Sequence, residues 1–422
     1  MNNSIAISDV MHVYGSFGMG LDYTVRLKLR LTDPVDEAIL RRAADKTQKR
    51  YPYLSLRMRK NEESLYYEEN PAPIAVLPTV DRVSLNGEQT NYHLWCVCYY
   101  EDQLCLDFYH GIADGTGMYM VLSTLLYYYC AERYGVTDHS GVRTLEDPIL
   151  PEEWLDPEEQ IPPMDLSRMQ FPERKPTFSL LADGGMTPSD AKIWDVEIPE
   201  AAFVSFSSAN DASPGTMVSV LFARALDTLY PDREKTIDFR YVVNARPMLH
   251  QEKTHHNCVG GVVFPFTDRV RNMPFSRQCT VHRGATFLQS DADHVIKALT
   301  VSANLFRMTL QRARTLEEKK QAFGQMMGGG AARNSFYVSY VGQWKLKALS
   351  PYIREFWTHV PAAGPLIAEI AAINGKIFLS VHQTFREDCV IKSFLRQLEE
   401  HGIPYVLREP AEIDNPRFLE PV

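Results

Sequence analysis

The segment 103–117, QLCLDFYHGIADGTG, joins an alternating apolar stretch to a glycine-rich turn. Side chains alternate across a β-strand, so this alternation predicts a strand with one continuous apolar face. That face carries Leu104, Leu106, Phe108 and His110. After the turn, apolar residues recur at helical spacing over 118–134 and predict an amphipathic helix. The segment therefore predicts a strand–turn–helix unit with a histidine at the end of a buried face.

The chain on both sides of this unit also mixes strands with helices. Alternating or short apolar runs predict strands at 22–32, 54–58, 92–100, 192–198, 237–244, 259–266, 334–344, 366–373 and 376–385. Helical spacing predicts helices after Asp33-Pro34, over 201–209, after Ser213, over most of 287–325 and after Asp388. The dipeptide Asn374-Gly375 is typical of a type I′ hairpin turn, so it predicts that the last two strands pair with each other.

Composition changes sharply near residue 148. Seven prolines lie among acidic residues between Pro148 and Pro176, and such a stretch resists regular structure. We therefore expect a first α/β domain at 1–147, a proline-rich crossover linker at 148–190 and a second α/β domain at 191–422. Each domain is predicted to hold a mixed sheet with flanking helices.

The overall charge argues against some classes of partner. The chain of 422 residues has 44 Lys and Arg against 53 Asp and Glu, which gives a net charge of −9. A nucleic-acid partner would need a concentrated basic surface, so none is expected. The amino terminus lacks the basic and apolar regions of a signal peptide, and no run of 18 apolar residues is present. We expect a cytoplasmic protein without a membrane span.

The seven cysteines do not form a metal-binding pattern. Their number is odd and none lies in a Cys-x-x-Cys pair. Small core residues in a reducing compartment are the favoured interpretation, rather than disulfides or zinc ligands. No metal and no tightly bound cofactor is expected.

His110 and Asp114 are the candidate chemical residues, and each has an ordinary structural alternative. A partly desolvated imidazole favours its neutral form, which a general base requires near neutral pH. The alternative is a core histidine with one nitrogen satisfied. Asp114 at the mouth of the helix matches an N-cap residue. A zinc site built on this pair is not favoured, because the loop lacks helical spacing and no third ligand follows.

The sequence His110-x-x-x-Asp114-Gly115 resembles the signature of the coenzyme A-dependent acyltransferase superfamily. That group includes chloramphenicol acetyltransferases, the plant BAHD enzymes, alcohol acetyltransferases and the condensation domains of peptide synthetases. Three weaker segments agree: Tyr51-Pro52-Tyr53-Leu54, Arg246-Pro247 followed by Asn257 and Gly260-Gly261, and the last strand and helix around 379–398. The resemblance therefore covers most of the chain.

The resemblance implies two chloramphenicol-acetyltransferase-like lobes with an active-site tunnel between them. His110 would be the general base that takes a proton from a small hydroxyl or amine acceptor. The acceptor would then attack an acyl group, such as acetyl, on coenzyme A as co-substrate. Asp114 would point away from the substrate and pair with Arg246, so that Asp114, Gly115 and Arg246 support the site.

The sequence also departs from the family pattern. Tyr109 stands where some members have a first histidine, and the plant Asp-Phe-Gly-Trp-Gly motif is absent; the nearest stretch is 339–344. Ser339 and Tyr109 are candidates for the oxyanion site or the tunnel, although a buried strand serine is the simpler interpretation of Ser339. An alcohol-acetyltransferase-like branch is favoured. The alternatives are condensation with a donor bound to an acyl carrier protein, and a non-catalytic binding member of the fold.

Three further motifs have simple structural interpretations. Gly328-Gly329-Gly330 predicts a flexible hinge rather than a phosphate loop, because no Lys-Ser/Thr follows it. The adjacent His255 and His256 in a polar loop are expected at the surface. A cluster of cations could form a basic tunnel mouth for the phosphates of the donor, or simply a solvated helix face. This cluster comprises Arg312, Arg314, Lys319 and Lys320.

Overall fold

The computed structural model describes residues 4–166, 169, 176–344, 346–361 and 364–413. The helices are α1 Val10–Met19, α2 Glu37–Arg50, α3 Gly115–Tyr134, α4 Glu200–Ala209, α5 Pro214–Leu229, α6 Arg246–Leu249, α7 Asp268–Arg271, α8 Phe275–Gln289, α9 Ala292–Arg312, α10 Leu316–Ala331 and α11 Cys389–Glu400. The strands are β1 Thr24–Leu31, β2 Leu56–Lys60, β3 Leu65–Glu69, β4 Val76–Leu77, β5 Trp95–Tyr100, β6 Gln103–Tyr109, β7 Pro188–Pro199, β8 Ile237–Asn244, β9 Val259–Phe266, β10 Phe336–Gln343, β11 Ile353–His359, β12 Leu366–Ile373, β13 Lys376–Phe385, β14 Val406–Leu407 and β15 Ala411–Glu412. The mixed α/β class expected from the sequence is confirmed.

The first sheet has the strand order β11-β1-β6-β5-β4. Strand β6 lies in its centre, between β1 and β5, and pairs antiparallel with both. Leu104, Leu106 and Phe108 are fully buried in the core that this sheet shares with α3. The predicted apolar face of β6 is therefore present, and it directs the end of the strand toward α3.

The second sheet has the order β14-β7-β13-β12-β10-β8-β9, with β15 also paired to β7. Strand β10 runs parallel to β8 and β12, and β12 pairs antiparallel with β13. Asn374 and Gly375 both have positive φ, as a type I′ turn requires. Helices α5 and α11 cover one face, where the rings of Phe222 and Phe394 stack at 4.2 Å.

Two contacts tie the halves of the chain together. Strand β11 comes from the second half of the sequence, yet it pairs with β1 at the edge of the first sheet. Helix α10 packs against α1, with backbone of Gly18 close to Gly324. The division into 1–147, 148–190 and 191–422 stays a prediction, and residues 353–359 lie in the first sheet rather than with the rest of 191–422.

The prediction of a flexible hinge at 328–330 needs correction. The glycines 328–330 form the last turn of α10 rather than a hinge, and the carbonyl of Gly330 accepts hydrogen bonds from the side chains of Asn334 and Tyr337. The proline-rich segment lacks long elements in its described part, but it is anchored to the first lobe. The carboxylate of Glu153 is buried and takes two hydrogen bonds of 2.9 Å from Arg50. Residues 167, 168 and 170–175 lie outside the described residues.

Candidate active site

The turn between β6 and α3 has a tightly defined geometry. Asp114 is the N-cap of α3, and its Oδ1 accepts a hydrogen bond of 2.9 Å from the backbone N–H of Gly117. A Cβ on Gly117 would collide with the backbone carbonyl of His255, so glycine is required at this position. Gly115 lies beside the side chain of Val341 on β10. The turn is therefore held between α3 and two segments from the second half of the chain.

Asp114 and Arg246 form a buried, two-pronged ion pair, as expected. Arg246 Nη1 lies 2.8 Å from Asp114 Oδ2, and Nη2 lies 2.8 Å from Oδ1. The backbone N–H of Cys258 also donates to Asp114, at 3.1 Å. Arg246 further donates to the carbonyls of Thr254 and His256. Burial alone would raise the pKa of Asp114, but Arg246 and these donors hold it below its usual range. The pair therefore fixes the turn after His110.

The imidazole of His110 lies in a cluster of three nearly parallel rings. Its ring centroid is 4.7 Å from that of His12 and 4.9 Å from that of Tyr23. All three side chains are partly accessible. Desolvation lowers the pKa of His110, and its own carbonyl with the carboxylates of Asp114 and Asp9 offsets this only in part. His110 is therefore neutral near neutral pH, and the residue is partly exposed.

A second polar network holds the backbone of His110 through its carbonyl group. The side-chain amide of Asn257 donates to the His110 carbonyl and to Asp9 Oδ1, both at 2.8 Å. The other oxygen of Asp9 lies 2.6 Å from His256 Nδ1. The rings of Trp154 and His256 lie tilted to each other, with their centroids 3.9 Å apart. The carboxylate of Asp9 raises the pKa of His256 despite its burial. Residues from the start of the first helix, from the proline-rich linker and from the second lobe are therefore in contact next to the backbone of the candidate base.

The prediction that His255 and His256 lie at the surface is wrong. His255 is fully buried and His256 is 3% exposed. His255 Nδ1 lies 2.9 Å from the carbonyl of Gly117, and its ring contacts Tyr51 and Tyr53. The residues that bury these two histidines come from distant parts of the sequence. The polar residues next to them in the sequence therefore do not indicate their burial. The pair joins the second lobe to the start of α3.

His12 and Asp9 contribute to the site although the sequence did not single them out. Both belong to the start of α1, whose sequence includes two glycines and has no long apolar stripe. His12 is half-buried, and desolvation lowers its pKa to about 3. A second neutral imidazole therefore lies directly against His110. The only sequence signal was a histidine near the start of the chain, which is too common to be informative.

Tyr109 and Ser339, the two residues considered for the oxyanion or the tunnel, lie in different surroundings. Tyr109 is fully buried, and its hydroxyl lies 2.9 Å from the hydroxyl of Ser16 on α1. Ser339 is on β10 and is partly accessible. Its hydroxyl lies near the buried carboxyl of Glu369, its register partner on β12, and opposes the rise in the pKa of that carboxyl. Neither observation assigns an oxyanion donor.

The remaining candidate features are structural. Among the described residues, Cys96, Cys98 and Asp107 form a group whose ligand atoms lie within 4.8 Å of one another. Both oxygens of Asp107 accept hydrogen bonds of 2.7 Å from Arg26, so the carboxylate is already engaged. Of the cations before the three glycines, Lys319 donates to the carbonyl of Glu63 and Lys320 pairs with Glu317. None of the helices described is long and apolar enough to cross a membrane.

Comparisons with known proteins identify the fold. No family model matches the sequence, and no curated protein matches it. TRI101 of F. graminearum, solved with coenzyme A and deoxynivalenol, matches with a TM-score of 0.65 and 11% identity over 96% of this chain and 99% of that chain. The condensation domain of the Monacolin K polyketide synthase MokA matches with a TM-score of 0.60 and 10% identity, over 94% and 95% of the two chains. Polyketide synthase associated protein 5 from Mycobacterium tuberculosis matches with a TM-score of 0.60 and 12% identity, over 94% and 96%. The chain therefore has the two-lobed fold expected from the resemblance.

Proposed function

We propose that this protein is an acyltransferase that moves an acyl group from a coenzyme A thioester to the hydroxyl group of a small acceptor. The observation that carries the proposal is the state of His110. The residue is partly exposed, its pKa is lowered, and its loop is fixed by a buried ion pair. These are the properties that a general base needs near neutral pH.

In the proposed reaction, a ring nitrogen of His110 accepts the proton of the acceptor hydroxyl as its oxygen attacks the thioester carbonyl. The tetrahedral intermediate then collapses, and the carbon–sulfur bond breaks. The leaving thiolate takes the proton from the imidazolium, which returns His110 to its neutral form. Asp114 and Arg246 hold the loop and exchange no proton with the substrate. The negative oxygen of the intermediate needs a separate hydrogen-bond donor.

The fold comparisons support the choice of donor. TRI101 structures with this fold hold coenzyme A together with T-2 mycotoxin or deoxynivalenol. A donor of the same kind here would supply the acyl group, with a small molecule as acceptor. A tunnel that admits the two substrates from opposite sides stays a prediction. The likeness to condensation domains favours, as a second candidate, a donor bound to a carrier protein.

The test is an acyl-transfer screen with the purified chain. Acetyl- and longer acyl-coenzyme A, and the same acyl groups on a phosphopantetheinylated carrier protein, are offered with a panel of alcohols and amines. Free thiol release reports turnover. We expect His110→Ala to lower turnover by ~10²-fold or more. His139→Ala, at an exposed histidine, is the matched control and should retain full activity.

Three results would overturn all or part of this assignment. Near-normal turnover in a folded His110→Ala protein would remove His110 from the mechanism. A wild-type protein that releases no thiol from any donor would favour a binding function. Thiol release from the carrier-bound donor alone would replace coenzyme A with a carrier protein.

A further inference from the structure

One face of the second sheet is turned toward the first lobe. Alternate residues of β12 point in opposite directions, and Ala368, Ile370 and Ala372 pack in the core of the second lobe. Ala371 and Ile373 pack instead with the core of the first lobe. Glu369 alternates along β12 with Ala371 and Ile373, so its side chain is on the same face of the strand. This face is directed toward the junction between the lobes.

A row of polar residues crosses this junction face. The register pairs Ser339 with Glu369, Glu369 with Ser380, and Ser380 with Asp195. At one end, Asp195 accepts a hydrogen bond of 2.7 Å from the hydroxyl of Ser380 and lies 3.1 Å from Nε2 of His359. His359 ends β11, the strand that joins the first sheet. The carboxylate of Asp195 is therefore fully partnered.

Glu369, in the middle of the row, has no such partner. It is 8% exposed, and the hydroxyl of Ser339 is its polar neighbour on β10. Within the described ranges, no Arg or Lys pairs with it. Burial raises its pKa to about 8, because the ionised carboxylate is poorly solvated there. Ionisation of a buried carboxyl without a counter-ion has an unfavourable desolvation free energy. A cation that binds beside the carboxylate offsets this free energy.

Glu369 lies opposite Ser339 on β10, and Val341, farther along β10, lies beside Gly115 in the turn that follows His110. Burial raises the pKa values of Tyr23 and Tyr119, and the nearby carboxyl of Glu369 raises both further. Tyr23 is also the ring that stacks on His110 at 4.9 Å. Tyr23 therefore stacks on the base and lies within electrostatic range of the unpaired carboxyl. Aromatic faces together with a carboxylate form a favourable environment for an organic ammonium group.

We propose that Glu369 recognises a cationic group on the acceptor, so that the acceptor class is an amino alcohol or its quaternary ammonium analogue. The ammonium group would lie at Glu369, and a separate hydroxyl would lie at His110. The two groups must be distinct, because a protonated amine has no free electron pair with which to attack the thioester. This assignment rests on the proposed function, since it takes His110 as the point of attack.

Binding tests the assignment independently of catalysis. Choline and 3,3-dimethylbutan-1-ol have the same shape, but the second carries carbon in place of the charged nitrogen. A series of linear amino alcohols and the alkanols of equal length covers other spacings. Thermal shift and calorimetry should show that the wild-type protein binds the cationic member of a pair at least about 10-fold more tightly.

The informative variant is Glu369→Gln, which keeps the shape and the contact with Ser339 but removes the charge. It should abolish the preference for the cation and leave the affinity for the neutral alcohol unchanged. Glu197→Gln is the matched control, because Glu197 lies in the same sheet and already pairs with Lys376 and Arg408. That control should retain the preference.

The outcomes separate this inference from the proposed function. If wild-type protein binds the charged and neutral members equally, or if a folded Glu369→Gln protein keeps the preference, the inference is wrong. The wild-type comparison decides this even if the variant does not fold. In the transfer assay, the ratio of kcat/KM for choline over dimethylbutanol should fall by about 10-fold in Glu369→Gln. Transfer to neutral alcohols with no cation preference would leave His110 as the base and refute only the role of Glu369. Cation binding without any transfer would refute the proposed function alone.

Discussion

Replacing Asp114 by Asn should destabilise the protein far more than a typical point mutation. The carboxylate lies within 2.8 Å of two guanidinium nitrogens of Arg246, and the Arg246 side chain is 2% exposed. Asn keeps an oxygen for the Gly117 N–H but leaves the arginine charge buried without a counter-ion. Removal of one partner of a buried ion pair costs ~3–5 kcal/mol, and we expect a loss in this range.

A double-mutant cycle separates the interaction free energy of the Asp114–Arg246 pair from the other effects of each substitution on stability. Arg246→Met leaves Asp114 with two backbone donors, from Gly117 and Cys258, and should also cost ~3–5 kcal/mol. In the Asp114→Asn/Arg246→Met protein neither charge remains, so the total loss should be smaller than the sum by at least ~2 kcal/mol. Asp45→Asn is the control, because Asp45 and Lys49 form an exposed pair one helical turn apart. Its effect should stay below ~0.5 kcal/mol.

Urea unfolding followed by tryptophan fluorescence and circular dichroism measures these free energies. The pH dependence provides a further check. The pKa of Asp114 is lowered in the folded state, so its stabilising effect is present above the ordinary aspartate pKa of about 3.9 and is lost as the pH falls through the folded value. The gap between wild type and Asp114→Asn should therefore shrink in acid. A loss below ~1 kcal/mol for either single variant, or additive losses, would refute the structural role of the pair.

Two further predictions concern the base and the first helix. Because desolvation lowers the pKa of His110, kcat/KM with a neutral alcohol should stay flat down to pH values below the ordinary histidine pKa of about 6.5 and fall only in more acidic buffer; an acid limb at or above that value would contradict the lowered pKa. Gly18→Ala should lower stability by ~1–3 kcal/mol in a thermal melt, because its Cβ would collide with the backbone carbonyl of Lys320 on α10. Gly284→Ala, in α8 with no neighbouring atoms, should instead raise stability by ~0.5–1 kcal/mol, and equal effects at the two sites would contradict the close helix contact.

Local patterns were sufficient where the partner of a residue lies nearby in the sequence. The Asn374-Gly375 turn and the alternation of β6 predicted their elements, because hairpin geometry and strand parity depend on adjacent residues. The contact between Asp114 and Arg246 was expected only from the family resemblance. Spacing alone could not have paired two residues from different halves of the chain.

The missed features depend on tertiary contacts. Helix α1 contains Gly15 and Gly18, which weaken a helix in isolation, and here they allow α10 to approach closely. The glycines 328–330 are likewise helical in the folded chain, where Asn334 and Tyr337 donate to the carbonyl of Gly330. The start of α1 carries Asp9 and His12 to the site, so the failure to predict the helix also concealed both residues. The role of Glu369 could not be inferred either. Alternation along β12 shows which residues share its face, but only the position of the first lobe shows that this face is directed toward the junction.

The position of β11 has a consequence for synthesis on the ribosome. Arg354, at the start of this strand, bonds to the carbonyl of Leu31, 323 residues earlier in the chain. Until β11 emerges, the outer edge of β1 carries unpaired backbone N–H and C=O groups, which are a template for pairing with other chains. Contacts so distant in sequence also form slowly. Nascent chains that stop before residue 353 should therefore associate with chaperones or aggregate, even though most of the first lobe has already been translated.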